Sequence, residues 1–296
     1  MLSERFYTIN YVTSVIVSII GLTFSLLINF IIITNRKCYT IKNILIFDLC
    51  ISSLIYFILH LIGCYYGTRN DWLYSQPLCI LRAYFIMVSI SGITYSLLIQ
   101  AISRLFFSIF YTHKFLLKKR IHWILIFFKW LICFLIGIQP LFIEHGFELI
   151  REHRMCGIKT NKLSIAPYSI CIVYVFPGSI VILVYALIFY QVRQSTHRVR
   201  SNLIKSYTSA CICLTFIRKN LIVMKNILII LNILMCGGTP YLILMIWDLI
   251  DNGSAPRQLY FLSVNSLVSA TTLMIIVTFY KNKTVKKITL KYLSGH

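Results

Sequence analysis

The sequence predicts an all-α membrane protein: a seven-transmembrane helix bundle with a short amphipathic cytoplasmic helix after the last span. Three observations carry that prediction. Seven stretches run for 20 to 30 residues with at most one charge each, and Lys and Arg concentrate on alternate connections between them. The composition is 58% hydrophobic against 12% charged, with a mean hydropathy of +0.81. A bilayer core ~30 Å thick is crossed by about 20 apolar helical residues, so each run is long enough to span once and none to span twice. A large soluble core built from the same helices would need charged faces to cover it, and this composition does not supply them.

The runs, in order, are Phe6 to Asn35, Leu49 to Thr68, Ala83 to Ser103, Ile121 to Ile143, Leu163 to Val192, Asn226 to Trp247 and Gln258 to Tyr280, with Lys129 the one interruption in the fourth. Adjusted at their ends, they predict spans over 9–34, 44–66, 77–106, 121–143, 166–192, 218–249 and 257–280 of a single domain covering 1–296. The first run far exceeds a signal-peptide core, and MLSERFY carries an acid as well as a base, so it reads as a retained span. The longest connections run from Glu144 to Pro167 and from Arg193 to around Lys219, and no repeat or low-complexity tract divides the chain. After the last run, Val285, Ile288, Tyr292 and Leu293 share one helical stripe opposite Lys283, Lys286, Lys287 and Lys291, with Leu290 off the stripe. That pattern predicts an amphipathic helix over 281–293 lying on the inner leaflet.

Orientation follows from the bases. Twenty of the 29 Lys and Arg residues lie after the first, third, fifth and seventh spans or at the helix ends beside them. Seven of the eight acids, Glu4, Asp71, Glu144, Glu148, Glu152, Asp248 and Asp251, lie on the other side. Because bases flanking short loops stay in the cytoplasm, the amino terminus is expected outside and the carboxyl terminus inside, with the plasma membrane as the location. The formal net charge of +21 is then spread along the rim of one leaflet, where it meets anionic lipid. It is not gathered into the aromatic-interleaved patch that a nucleic acid would require.

Cys79 opens the third run and Arg104 closes it, 25 residues later; that is about 37 Å of helix, the thickness of a membrane with its near interface. Trp72 stands seven residues before Cys79, Trp130 ten before Pro140, and Pro177 eight before Tyr185, while Pro240 lies in the sixth run. In order and spacing these residues resemble the rhodopsin-like (class A) G-protein-coupled receptors over essentially the whole chain. The resemblance implies a disulfide between Cys79 and Cys156, the two of ten cysteines placed clearly in outer connections, where the surroundings are oxidising. Two free thiols are the other reading of that pair. The resemblance also implies that Arg104 is held inward at rest and, once the sixth span swings outward, meets Tyr185 and a heterotrimeric G protein. Taken alone, Arg104 reads as a snorkelling cation at a helix end.

The chain departs from the family pattern as a divergent member would. Ser103 stands where an acid normally precedes the Arg, which removes a charge-assisted hydrogen bond and predicts raised basal activity. Ser53 stands where most relatives place a sodium-binding Asp, and Asp48 is about one and a half turns nearer the cytoplasm, so no sodium site is expected. Ser25 replaces an Asn, with Asn29 one turn on; either could bridge to the second span. Gly237-Gly238 replaces the Cys-Trp before Pro240 and predicts a soft kink without an aromatic toggle. Near Tyr280 the NPxxY motif is absent, Ile276-Val277 occupying the Asn-Pro positions. Lys129, a cation inside a span, is expected to snorkel or to pair with a neighbouring helix.

In this architecture a ligand sits among the outer halves of the second, third, fifth, sixth and seventh spans. Ile86 occupies the place of the Asp that amine receptors use, which disfavours a monoamine, and no Lys in the seventh span is placed for a retinal Schiff base. The candidate contacts are Arg82, Tyr84, Ile86, Tyr241, Trp247 and Tyr260, with His60, Gln139, Glu144, Asp248 and Arg257 as further polar candidates. Arg82 could receive a carboxylate, and a tyrosine-rich mouth suits a peptide, although Tyr, Trp and Arg also gather at membrane boundaries without binding anything. Asn252-Gly253-Ser254 is a sequon very close to the membrane. No His and Cys grouping has metal-site spacing, and no GxSxG, HExxH or P-loop occurs, so neither cofactor nor enzyme is expected.

The expected function is a receptor that carries an extracellular peptide or small-molecule signal to G proteins. Bases at Arg193, Arg198, Arg200, Lys205, Arg218 and Lys219 would line the approach on the inner side. A receptor-like membrane protein without G-protein activity is the first alternative. A transporter or channel is the second, though inverted repeats and rows of intramembrane charge are missing.

Overall fold

A computed structural model describes residues 4–69, 76–110, 112–143, 146–160, 165–202, 207–251 and 255–294. Seven helical segments in it are long and apolar enough to cross a membrane, and the chain is a multi-pass membrane protein. Trp72, Glu144, Lys205 and the Asn252 sequon lie outside the described residues.

The elements are α1 (Glu4–Thr34), α2 (Ile41–Arg69), α3 (Gln76–Ser108), α4 (Lys119–Ile138), β1 (Phe147–Ile150), β2 (Met155–Ile158), α5 (Ala166–Ile170), α6 (Phe176–Asn202), α7 (Tyr207–Ile250), α8 (Arg257–Lys281) and α9 (Lys283–Leu293). A π-helical turn, Cys171–Val175, joins α5 to α6 into the fifth span just ahead of Pro177, and a 3₁₀ turn, Gln139–Phe142, finishes the fourth at Pro140. Both irregularities stand beside a proline that has no N–H to continue the α-helical ladder.

Several helices outrun their apolar stretches. The first begins at Glu4 rather than at 9, and α7 begins at Tyr207 rather than at 218. Membrane thickness limits only the apolar length; beyond the hydrocarbon the same backbone continues as a helix wherever nothing breaks it. In contrast, α4 tightens after Ile138, before the expected end at 143, because Pro140 intervenes. The terminal helix begins at Lys283, where the side chain of Asn282 accepts from the Val285 amide as an N-cap.

α3 runs through the middle of the bundle and is the most buried span, touching α2, α4, α6 and α7, while α1 closes the ring between α2 and α8. α4 presents Ile124, Phe127, Phe128, Leu131 and Leu135 outward, as a helix facing hydrocarbon must. Glycine permits the tightest crossing: a Cβ on Gly237 of α7 would collide with Cβ of Ala270 on α8. Beside it the Ser266 hydroxyl donates to the Gly237 carbonyl at 2.9 Å, adding a polar tie three residues before Pro240. Gly237 therefore serves close packing of α7 on α8, while a Cβ on Gly238 would meet the Tyr174 ring of the fifth span at 3.3 Å.

Polar side chains hold the interior of α2, α3 and α4 together. Lys129 does not snorkel; its ammonium lies 2.8 and 2.9 Å from the carboxylate oxygens of Asp48 and 3.2 Å from the hydroxyls of both Ser52 and Ser96. Ser96 and Trp130 donate to the same carboxylate at 2.7 and 3.0 Å. The ammonium also lies 4.0 Å from the centre of the Trp130 ring. No hydrogen bond from Ser25 or Asn29 to α2 occurs among the described residues; Ser25 Oγ and Asn29 Oδ1 are buried with no hydrogen-bond partner there.

Candidate functional site

At the end of the bundle that carries the disulfide, a two-stranded hairpin lies across the helices. Phe147 pairs with Ile158 and Ile150 with Met155, and Arg154, at φ 50°, closes the four-residue turn between the strands. Cys156 on β2 is bonded to Cys79 in the first turn of α3, across a Cα–Cα distance of 5.4 Å. The tip is held from the other side by α1, where Tyr11 donates to the His153 carbonyl at 2.7 Å and Tyr7 to that of Glu152 at 3.3 Å. Arg154 reaches Glu4 at 2.8 Å and covers the Tyr7 ring. The early start of α1 thus has a purpose in the fold: the turn added before residue 9 supplies two of these anchors, Glu4 and Tyr7.

Beneath the hairpin lies a cavity of about 120 Å³. Tyr56 and His60 line it from α2; Arg82, Ile86, Met87 and Ile90 from α3; His153, Met155 and Ile158 from the hairpin. Ser169, Val173 and Tyr174 come from the fifth span, Tyr241 from α7, and Ser263, Val264 and Leu267 from α8. Arg82 is buried, with Nε donating to the Leu59 carbonyl and Nη1 to that of Cys156, each at 2.9 Å. Its guanidinium fills the space where a Cβ on Gly63 would stand, so the absence of a side chain there admits it. Burial, and secondarily the charge of Arg82, pushes the His153 imidazole down to about 3, against a weaker upward pull from the Ile150 backbone. The ring is neutral at physiological pH and packs against Tyr260 and Phe261.

Among the residues expected at a ligand, Arg82, Ile86, Tyr241 and His60 line this cavity. Tyr84 does not; it turns toward α4, its hydroxyl 3.4 Å from the Phe134 carbonyl. Trp247 also stands apart, exposed on the flank of α7 where it faces lipid. Tyr260 donates to buried Asp248 at 2.6 Å, and the same carboxylate takes the hydroxyl of Thr160 and the amide of Ala255, fastening the loops rather than facing the cavity. Tyr56, Met87, His153 and Tyr174 were not singled out in the sequence. Tyr56 and His60 are one helical turn apart, a signal that was legible, whereas His153 depends on where the hairpin folds.

At the opposite end of α3, Arg104 makes no hydrogen bond or ion pair among the described residues, and it interacts electrostatically with Tyr185 of α6, Lys42 of α2 and His122 of α4. The Tyr185 hydroxyl is buried and has no hydrogen-bond partner among the described residues. Ser103 is engaged elsewhere, 2.9 Å from Nε2 of the fully buried His122 on α4. His122 Nδ1 faces the Lys118 carbonyl at 3.2 Å. A carbonyl can only accept, so the proton sits on Nδ1, and Ser103 donates to Nε2. Where Asn-Pro is missing from the last span, Phe279 turns inward against Phe24 and Tyr280 points outward. The tie at this end comes from Asn282, which donates to Asn43 at 3.0 Å while Asn43 donates to the Cys38 carbonyl at 2.9 Å. Of the basic residues expected here, Arg193 is exposed on α6; the side chains of Arg198, Arg200, Arg218 and Lys219 lie outside the described set.

The model of the 7 transmembrane receptor (rhodopsin family) matches residues 25–282. Among solved structures, the crystal structure of squid rhodopsin superposes with a TM-score of 0.82 at 14% sequence identity, over 97% of this chain and 85% of that one. That likeness is one of fold. No curated protein matches in sequence.

Proposed function

Since the chain belongs to the rhodopsin family of seven-transmembrane receptors, we propose that it transmits binding of an extracellular ligand in the hairpin-covered cavity to a heterotrimeric G protein at the Arg104 end. The observation that carries this reading is the layout of α3. One helix lines the cavity with Arg82, Ile86 and Ile90 and ends in Arg104, which makes no hydrogen bond or ion pair among the described residues and lies beside a buried Tyr185 hydroxyl with no hydrogen-bond partner among them. A cation and a phenol with no hydrogen-bond partner among the described residues suit a surface whose partner arrives from outside, on a population shifted by ligand. Pro240, inside α7, removes one backbone hydrogen bond there and gives that helix a point about which it can move. In this reading the disulfide end faces outward, Arg104 and α9 face the cytoplasm, and the plasma membrane holds the protein.

Expression in cells carrying a panel of G-protein dissociation sensors, with peptides and small molecules applied and Arg104→Ala as control, tests the proposal. A ligand-evoked response lost in Arg104→Ala supports it. Ligand binding with no sensor response in any member of the panel, or an evoked ion or solute flux, contradicts it.

A further inference from the structure

The wall of the cavity narrows the ligand class beyond the proposed receptor function, on which this inference rests. Several of its polar groups are engaged within the protein. Arg82 is packed against α2 and the hairpin, and among its contacts are the hydrogen bonds to the carbonyls of Leu59 and Cys156. His60 Nε2 lies 2.7 Å from Ser14 Oγ and 3.4 Å from Cys64 Sγ, and Ser263 donates to the Tyr260 carbonyl at 2.8 Å. Three phenols are different. The hydroxyls of Tyr56 on α2, Tyr174 in the fifth span and Tyr241 on α7 have no hydrogen-bond partner among the described residues, although all three side chains line the space and Tyr56 is only 3% exposed. They stand together, since Tyr174 interacts electrostatically with both Tyr56 and Tyr241.

A phenol is a better donor than an aliphatic hydroxyl, and a carbonyl oxygen has two lone pairs to receive such donors. A buried hydroxyl is costly to leave without a bond, so an acceptor placed among the three relieves a cost that a hydrocarbon would leave in place. A cation meets no Asp or Glu among the described lining residues, and an anion meets a guanidinium already bonded to the backbone. A charge buried without a partner is far more costly than a neutral dipole. Much of the remaining lining is apolar, including Ile86, Met87, Ile90, Val173 and Leu267, and the space is about 120 Å³. A cavity of about 150 Å³ lined by apolar side chains holds one benzene. We infer that the site takes an uncharged small molecule of about one ring, apolar except for a carbonyl-type acceptor bound by the phenols of Tyr56, Tyr174 and Tyr241.

The test uses the full chain in lipid nanodiscs at about pH 7, where carboxylates and alkylamines are ionised. Met87 and Met155 line the cavity, so carbon-13 methionine methyl NMR reports occupancy, with Met87→Leu and Met155→Leu assigning the two signals. Cyclohexanone is compared with methylenecyclohexane, which has the same shape and no acceptor, and with the ions cyclohexylammonium and cyclopentanecarboxylate. Cyclohexanone is expected to shift both signals saturably, at a lower free concentration than either ion. The double variant Tyr56→Phe/Tyr174→Phe removes two hydroxyls and no hydrogen bond within the described protein. It is expected to weaken cyclohexanone by about fivefold or more and methylenecyclohexane by less than about twofold. Taking each compound as a ratio of wild type to variant cancels its partition into lipid. Without ligand, the variant is expected to unfold at no lower temperature than wild type, because Phe buries no unpaired hydroxyl. No saturable shift with cyclohexanone at millimolar concentration, tighter binding of either ion, equal weakening of ketone and hydrocarbon, or a less stable variant overturns the inference. Binding is read without a G protein, so a silent sensor panel with an intact ketone preference sinks only the signalling proposal.

Discussion

Lys129 and Asp48, on α4 and α2, form an ion pair inside the bundle at 2.8 Å, with the ammonium side chain fully buried. Its geometry is good and every oxygen is in use, since Trp130, Ser52 and Ser96 complete the cage. Such pairs contribute little against an apolar replacement, yet removing one partner strands the other charge, at about 3–5 kcal/mol. Lys129→Met and Asp48→Ala are each expected to destabilise by that amount. The double variant Asp48→Asn/Lys129→Met, which keeps an acceptor for Trp130, is expected to lie closer to wild type than either. Thermal unfolding in detergent measures all of them, and additive losses would contradict the coupling.

Gly237 sets the spacing of α7 against α8. Gly237→Ala forces its new Cβ onto Ala270 and is expected to cost about 1–3 kcal/mol by overpacking. Adding Ala270→Gly clears the space and is expected to recover a large share of the loss, whereas Ala270→Gly alone is mildly destabilising. A double-mutant cycle on unfolding midpoints reads the interaction, and zero coupling would show that the contact does not constrain the helices.

Seven spans and their order were legible because lipid demands long apolar runs, and Arg82, Ile86 and Tyr241, which line the cavity, were candidates because the family resemblance places a ligand among the outer halves of the spans. The partner of Lys129 was not. Asp48 is far away in sequence, and only the packing of α2 against α4 decides whether a lysine snorkels or pairs. Trp247 and Tyr84 illustrate a different failure: both lie at the correct depth for a ligand contact, but depth does not give the rotation of a helix about its axis. His153, which shares a loop with His145 and Cys156 but without metal-site spacing, was not expected at the cavity, because a hairpin pinned by Cys156 and anchored by Tyr7 and Tyr11 carries no periodic signal.

His153 makes the docking of that hairpin pH-dependent. Its proton affinity is ordinary when the loop is undocked, near 6.5, and lowered to about 3 in the docked fold by burial and by Arg82. The undocked form therefore binds the proton more tightly, so docking is at full strength above about pH 6.5 and weakens as pH falls from there toward 3. Amide-exchange protection of 147–158 is expected to fall by up to about tenfold per pH unit across that window, after correction for intrinsic exchange. His153→Gln is expected to flatten the dependence, and an identical slope in that variant would refute the assignment.

Ser103 hands its hydroxyl to His122 and leaves Arg104 without an acid beside it. Ser103→Asp restores a neighbouring carboxylate and is expected to hold Arg104 in the resting arrangement, lowering ligand-free G-protein turnover by about tenfold, the equivalent of one charge-assisted bond. Ser103→Ala is expected to leave that turnover no lower than wild type. Equal basal rates for wild type and Ser103→Asp would end this explanation.

The account depends most on Arg104 acting as the contact for a G protein at the far end of the helix that lines the cavity. Nucleotide exchange on a purified heterotrimer, driven by the receptor in nanodiscs, measures this directly. Wild type is expected to accelerate exchange over empty nanodiscs for at least one heterotrimer class, and Arg104→Ala, folded and with its disulfide intact, to reduce the rate to background. Exchange no faster than with empty nanodiscs across all classes, or acceleration undiminished in Arg104→Ala, would contradict it.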